Sequence, residues 1–259
     1  MKKFLSLLII FIFLLTGCSK KETTTEYDEL LKRDVIVVGV EKNSKPFSFI
    51  ERKTNRYVGY DIDVAKNIAK DLLGSDRKIK FVPLDSSMRI ESLMNGDVDI
   101  VVAAMSATPQ REYLIDFSIP YYIAGQTALV RNGSKINTIT DLRKKTTIVV
   151  LGSTSERNLR RIIPTSRLIG FKDHSSAFNA FLNGQGDAIS SDDALLRGFL
   201  IDHPKYKMLK NRISKEFYSV GIRKEEDNDK LKQHINMSIT RMNKDGTLKH
   251  LKHKWGLSD

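Results

Sequence analysis

Several residue types are scarce in this chain, and each shortage removes a class of reading. Its 259 residues hold one cysteine, one tryptophan, six prolines and five histidines. A lone cysteine excludes an internal disulfide, a thiolate metal cluster and a Cys-pair redox centre. No metal-ligand cluster, phosphate loop or Ser–His arrangement is visible, so neither a metal nor any other cofactor is expected. Long apolar runs are also missing. Only the stretch from Phe4 to Leu15 is almost unbroken, and twelve residues rise about 18 Å as a helix, short of the roughly 30 Å bilayer core. Acidic residues are outnumbered, 31 against 43 Lys and Arg, giving a formal net charge of +12. The basic residues are spread along the chain without an aromatic-interleaved block, so no nucleic-acid partner is expected. A solvated surface accounts for the charge, with attraction to anionic headgroups or cell-wall polymer as the alternative.

What the chain does have begins at its N-terminus. Met1-Lys2-Lys3 before Phe4–Leu15 has the form of a signal peptide, expected to span residues 1–17. Leu15-Thr16-Gly17-Cys18 resembles a bacterial lipobox, which makes Cys18 the expected lipidation site. Two or more acyl chains hold a protein stably on a membrane, so an extracytoplasmic, lipid-anchored location is expected. Residues 18–33 are expected to be a polar tether, with Glu29–Lys32 either a helical turn or more of it.

The body alternates strand and helix signals. Val35–Val40 is the run of a strand buried on both faces. From Asp61 to Leu73 the residues Ile62, Ala65, Ile68, Ala69 and Leu72 share one face, and Gly74 is a natural stop. Strands are predicted over 78–83, 97–104, 146–151 and 187–190. Helices are predicted over 87–94, 175–182, 193–200, 229–242 and 247–255, and the tight loop 152–156 opens another that runs to about 162. This is an α/β pattern, and 92–100 echoes 180–189 as helix, Asn-Gly stop and acidic strand entry. Ligand sites of such sheets lie beyond the carboxyl ends of strands.

Residues 103–122 carry the most functional information. A strand runs into Ser106, then Thr108-Pro109 reads as N-cap and first helical position, with Arg111 in the first turn. Two hydroxyls, free N–H groups and a guanidinium at a strand end form a receptor for a small carboxylate. Gly152–Glu156 places Ser and Thr hydroxyls, Thr154 and Ser155 among them, at a second helix N-terminus. Ser191-Asp192-Asp193 follows a strand directly, and one of the two Asp residues is expected to cap the next helix.

These motifs resemble those of the bacterial family 3 solute-binding proteins, which feed amino acids to ABC importers. The anchors are Gly-Tyr-Asp-Ile-Asp-Val-Ala (59–65), Gly-Asp-Val-Asp (96–99), Ser-Ala-Thr-Pro-Gln-Arg (106–111), Asp-Phe-Ser-Ile-Pro-Tyr-Tyr (116–122), Asp-Ala-Ile-Ser-Ser-Asp (187–192) and Asp-Gly-Thr-Leu (245–248). The resemblance implies a two-lobed type II periplasmic-binding-protein fold with two crossover strands, closing on one amino acid. Lobe 1 is expected over 34–121 plus 219–259, lobe 2 over 126–213, and the hinge at 122–125 and 214–218. It further implies that Arg111 clamps the ligand carboxylate with Ser106 and Thr154 or Ser155. Asp192 takes the ammonium beside the Ala104 backbone, and Glu41 holds the far end of the side chain. An ABC permease and ATPase are the implied partners of a monomeric, non-catalytic protein.

The chain departs from the family where Ser44 and Ser86 replace stacking aromatics, and at Ala103 and Ala104. Phe47 and Phe49 are the rings left near the site, and either can equally belong to the core. A roomier, more polar pocket is therefore expected. Glu41 disfavours an acidic ligand by repulsion, leaving a polar or cationic amino acid. A cyclohexadienyl dehydratase-like enzyme, drawing its acid from Glu41, Glu156 or Asp192, remains open, as does a sensing or adhesion lipoprotein. His174 is read as a surface neighbour of a helix cap.

Overall fold

The computed structural model describes residues 25–224 and 229–257; Cys18 and the expected signal peptide lie outside them. The first described element departs from the expected tether. Residues Glu26–Arg33 form a helix, α1, closed by a capping box between Thr25 and Asp28. It is docked: Leu30 is fully buried, Arg33 donates to Asp99 at 2.5 Å, and the Tyr27 hydroxyl lies 2.9 Å from His234 Nε2. One amphipathic turn read as polar because its single core residue is surrounded by charges.

Strand β1 (Ile36–Glu41) follows, then the hairpin β2 (Phe49–Glu51) and β3 (Arg56–Val58). Helix α2 (Tyr60–Leu73) starts at Gly59, whose φ of 138° and closeness to the Phe47 carbonyl, 2.1 Å from where a Cβ would stand, require glycine. Next come β4 (Ile79–Leu84), α3 (Arg89–Met94), β5 (Ile100–Val101), α4 (Pro109–Glu112) and β6 (Asp116–Phe117). Strand β7 (Tyr122–Ala124) leaves this lobe and β8 (Gln126–Arg131) enters the second.

The second lobe contains β9 (Thr146–Val150), α5 (Thr154–Ile162), β10 (Arg167–Phe171) and α6 (His174–Leu182). It continues through β11 (Ala188–Asp192), α7 (Asp193–Leu200) and β12 (Tyr206–Met208). The chain returns through β13 (Glu216–Tyr218) and β14 (Gly221–Ile222), and ends in α8 (Asp229–Lys244) and α9 (Thr247–Lys254).

Each lobe has a five-stranded sheet, ordered β4-β1-β5-β14-β6 and β10-β9-β11-β8-β12. In each, four strands point the same way and one is reversed: β14 pairs antiparallel with β5 and β6, and β8 with β11 and β12. The two crossing segments pair with one another as β7 and β13. Helices cover both faces of each sheet, which is why the strands read as unbroken apolar runs. In β9, Ile148 and Val150 pack with Ala177 and Phe181 of α6, while Val149 between them packs with Leu159 of α5. In β1, Val38 and Val40 face Ile62 and Ile68 of α2, and Val37 faces Leu93 of α3. Each such buried Val, Leu, Ile or Phe contributes roughly 1.5–3 kcal/mol. Among the described residues no helix is long and apolar enough to cross a membrane.

Candidate functional site

The segments after β4 and β5, the carboxyl end of β11 and the N-termini of α5 and α6 meet in a narrow cleft with a cavity volume of about 20 Å³. Its first wall is built by the segment after β5. Ala104 adopts a left-handed φ of 44°, held by its N–H donating to the buried Asp61 carboxylate at 2.7 Å. Tyr121 donates to the other Asp61 oxygen at 2.9 Å, yet burial still pushes Asp61 up to about 7. This kink ends the strand early, at Val101 where the sequence suggested residue 104, and turns Ser106 toward the cleft.

Thr108 caps α4, accepting from the Arg111 N–H, with Pro109 at the first helical position as expected. The Arg111 side chain folds back into the cleft and is 4% exposed. It donates to the Ser106 carbonyl at 2.8 Å and, across the cleft, to the Gly152 carbonyl at 2.9 Å. Among the described residues it forms no ion pair. Burial first, and then the charges of Arg89 and Arg157, pull its pKa down to about 9. A buried guanidinium satisfied only by carbonyls leaves room for an anion.

The facing wall comes from the second lobe. Ser153 caps α5, and Thr154 lines the pocket. Ser155 is buried but does not line it; its carbonyl instead accepts from Gln126 at 3.2 Å. The lobes are in contact here, since a Cβ on Gly152 would stand 2.9 Å from the Ser87 backbone opposite. Arg157 also donates across to Gln110 at 3.1 Å.

Asp192, the last residue of β11, is 6% exposed. The Tyr218 hydroxyl donates to its Oδ2 at 2.5 Å, while Oδ1 is buried without a partner. Burial, reinforced by the Glu216 charge, raises it to about 7. Neither Asp caps α7 through its side chain: Asp193 accepts from the Gly125 N–H at 3.0 Å and pairs with Arg212.

Four expectations change. Phe47 is fully buried among Tyr60, Tyr122 and Tyr218 at 5.3–5.9 Å, in the core beside the crossing strands and outside the pocket. Phe49 packs edge-on against Trp255. Glu41 is fully buried and does not line the pocket; Ser86, Arg89 and His174 stand between it and the cleft. His174 is not at the surface: it is 6% exposed, with Nδ1 3.7 Å from Glu41 and Nε2 3.3 Å from Ser191 Oγ. The pocket is polar but not roomy, with Arg89 and His174 on its wall. Arg89 was legible only as one more charge in a helical stretch; its inward course depends on carbonyls of Ser86 and Ala103, at 2.9 and 2.8 Å.

Comparison with known proteins agrees with this architecture. An ABC transporter glutamine-binding protein of Bacillus subtilis is 35% identical over 268 residues, covering 98% of this chain and 97% of that one. A glutamine-binding protein of Geobacillus stearothermophilus is 36% identical, covering 85% and 90%. The solved structure of an ancestral arginine-binding protein bound to glutamine superposes with a TM-score of 0.80 at 34% identity, covering 87% of this chain and 99% of that one. Residues 36–258 match one family model, and the chain belongs to the bacterial extracellular solute-binding proteins, family 3.

Proposed function

We propose that this protein is the binding component of an amino-acid ABC importer and that its cleft takes a neutral polar L-amino acid of the glutamine class. The observation that carries this reading is one closed pocket lined by two unmatched groups. Arg111 has no carboxylate partner and Asp192 has a buried oxygen without a donor. An α-carboxylate and an α-ammonium complete both at once. Ser106 and the N-terminus of α5 at Thr154 supply the remaining donors. Between polar and cationic side chains, Arg89 and His174 on the pocket wall favour the neutral one. The glutamine-binding names of two relatives support the same choice. Closure is a population shift: both lobes contribute contacts, so the ligand stabilises the closed form over an open one.

The test is thermal unfolding of the unacylated chain from residue 19 on, which retains the Thr25 cap, against the twenty amino acids. A ligand at 100 times its dissociation constant adds about 2.7 kcal/mol, a rise of roughly 5–10 °C for a body this size. A shift with glutamine or a similar neutral polar amino acid is expected; no shift with any amino acid refutes the reading.

Lipid anchoring at Cys18 is part of the proposal, with the protein monomeric and held at the outer face of a membrane. The lipobox-like Leu15–Cys18 motivates it. Cys18→Ala should move the protein from the membrane fraction to the soluble one; retention of the variant on membranes would refute anchoring through that residue.

A further inference from the structure

The charge of the body is not shared evenly between the lobes. Residues 126–213 hold 15 Lys and Arg against 7 Asp and Glu, a net +8, whereas 34–121 with 219–259 hold 21 against 19, a net +2. Much of the excess gathers at one end of lobe 2. Arg143, Lys144 and Lys145 follow a short 3₁₀ turn (Ile139–Leu142) and lead into β9, Arg167 opens β10, and Arg161 stands in the last turn of α5. Backbone bonds hold two of these segments together. The Lys144 N–H donates to the Thr165 carbonyl at 3.1 Å, and the Arg167 N–H to the Lys145 carbonyl at 2.9 Å. All five residues are exposed, and among the described residues none of their side chains forms an ion pair or a hydrogen bond. Nearby acids are engaged elsewhere: Asp141 accepts from the Asn137 and Thr138 N–H groups, Asp187 from the Thr146 N–H, and Glu156 pairs with Arg160 at 3.0 Å. Lys144 stands at a left-handed φ of 58°, which glycine adopts more easily, so the backbone does not explain a lysine there.

The position of this patch narrows what can meet it. It lies at the amino ends of β9 and β10, whereas the ligand cleft lies beyond the carboxyl end of β11, which runs parallel to β9. The chain enters the body at the corresponding end of lobe 1. There Arg33 of α1 donates to Asp99, just before β5, and Asp99 accepts from the Val37 N–H of β1. Six residues, 19–24, separate Cys18 from the Thr25 cap, a reach of at most about 25 Å when fully extended. We propose that the basic end of lobe 2 is a docking surface for an anionic polymer of the cell envelope that carries repeated phosphodiesters. Guanidinium groups take phosphates with two parallel bonds, ammonium groups act as point charges, and successive phosphates along one polymer add their contacts. The choice of a polymer over lipid headgroups rests on the anchoring at Cys18 proposed above. A short tether at the outer end of lobe 1 holds that end toward the membrane, and the basic end of lobe 2 then points away from it.

The experiment is binding of the unacylated chain from residue 19 on to poly(glycerol phosphate) and, separately, to phosphatidylglycerol vesicles, which carry the same phosphodiester in a lipid. Polymer binding is expected at about 50 mM salt and should be lost by about 500 mM, where the screening length falls to about 4 Å. Replacing Arg143, Lys144 and Lys145 together by Gln should weaken polymer binding by roughly tenfold or more. Replacing Lys53, Lys70 and Arg77 by Gln removes three exposed, unpaired charges from lobe 1 and should weaken it by less than about threefold. Thermal unfolding shows that both variants are folded. No polymer binding at low salt overturns the proposal. An equal loss in the two variants also overturns it, because net charge alone would then suffice. Vesicle binding as tight as polymer binding overturns it as well, by making lipid the occupant. Anchoring is read separately, by the fate of Cys18→Ala, so its failure is distinct from a failure of the patch.

Discussion

Arg111→Ala is expected to abolish measurable binding of every amino acid, whatever its side chain. The guanidinium is the pocket's unpaired cation, and a ligand α-carboxylate placed there would be desolvated in a closed cleft. Truncating one partner of such a pair costs about 3–5 kcal/mol, because the other charge is left buried and uncompensated. That corresponds to roughly a hundredfold to several thousandfold in affinity. The substitution also removes the donor to the Gly152 carbonyl, a bond that crosses the cleft. The closed form should therefore be less favoured even before ligand arrives. Arg111→Lys keeps the charge but loses the two-pronged geometry, so an intermediate loss is expected. Calorimetry on variants shown by thermal unfolding to be folded checks both. Tight binding by folded Arg111→Ala would mean that the carboxylate lies elsewhere.

Binding is also expected to depend on pH through Asp192, and Asp192→Asn should remove both the dependence and most of the affinity. Burial and the Glu216 charge raise this carboxyl to about 7. An ammonium beside Oδ1 favours the ionised form and lowers the pKa again. Ligand binding near and below pH 7 therefore releases a proton. Affinity should rise with pH up to about 7 and level off above it, while the ligand's own groups stay ionised. The sign for stability without ligand is the reverse. A carboxyl raised above its unfolded value contributes stability that is present at acid pH and is lost as pH climbs to about 7. Calorimetry at pH 6 in two buffers of different ionisation enthalpy reads the proton release directly. Equal heats in both buffers, or wild-type-like pH dependence in Asp192→Asn, would remove Asp192 from the ammonium site. Asp61 is raised to about 7 as well, but Tyr121 and the Ala104 N–H hold both of its oxygens, so ligand has no free acceptor there.

The sequence by itself determined whatever depends on neighbours along the chain. The alternation of continuous apolar strands with one-faced helices, as in Ile36–Glu41 followed by Tyr60–Leu73, follows from side-chain periodicity. Arg111 was legible because an N-cap threonine, a first-turn proline and a guanidinium two residues later form a local device. Asp192 was singled out only by the resemblance to the family, since the residues alone offered Asp192 and Asp193 alike as helix caps. The hairpin at 49–58 and the edge strands β10 and β12 carried weaker signals, since they are short and partly exposed.

Only the tertiary structure decided how the far end of the pocket is made. Phe47 and Phe49 could be pocket rings or core, and burial against Tyr60, Tyr218 and Trp255 resolves them as packing. His174 follows an ordinary Asp cap, and nothing in its neighbours along the chain says that α6 aims it at Glu41, more than a hundred residues earlier. Glu41, the Ser86–Arg89 turn and His174 lie on three separate segments of two lobes, and these polar groups meet at distances below 4 Å only in the folded chain. Local patterning fixes where a group sits on its element; the mutual approach of elements fixes which charges meet.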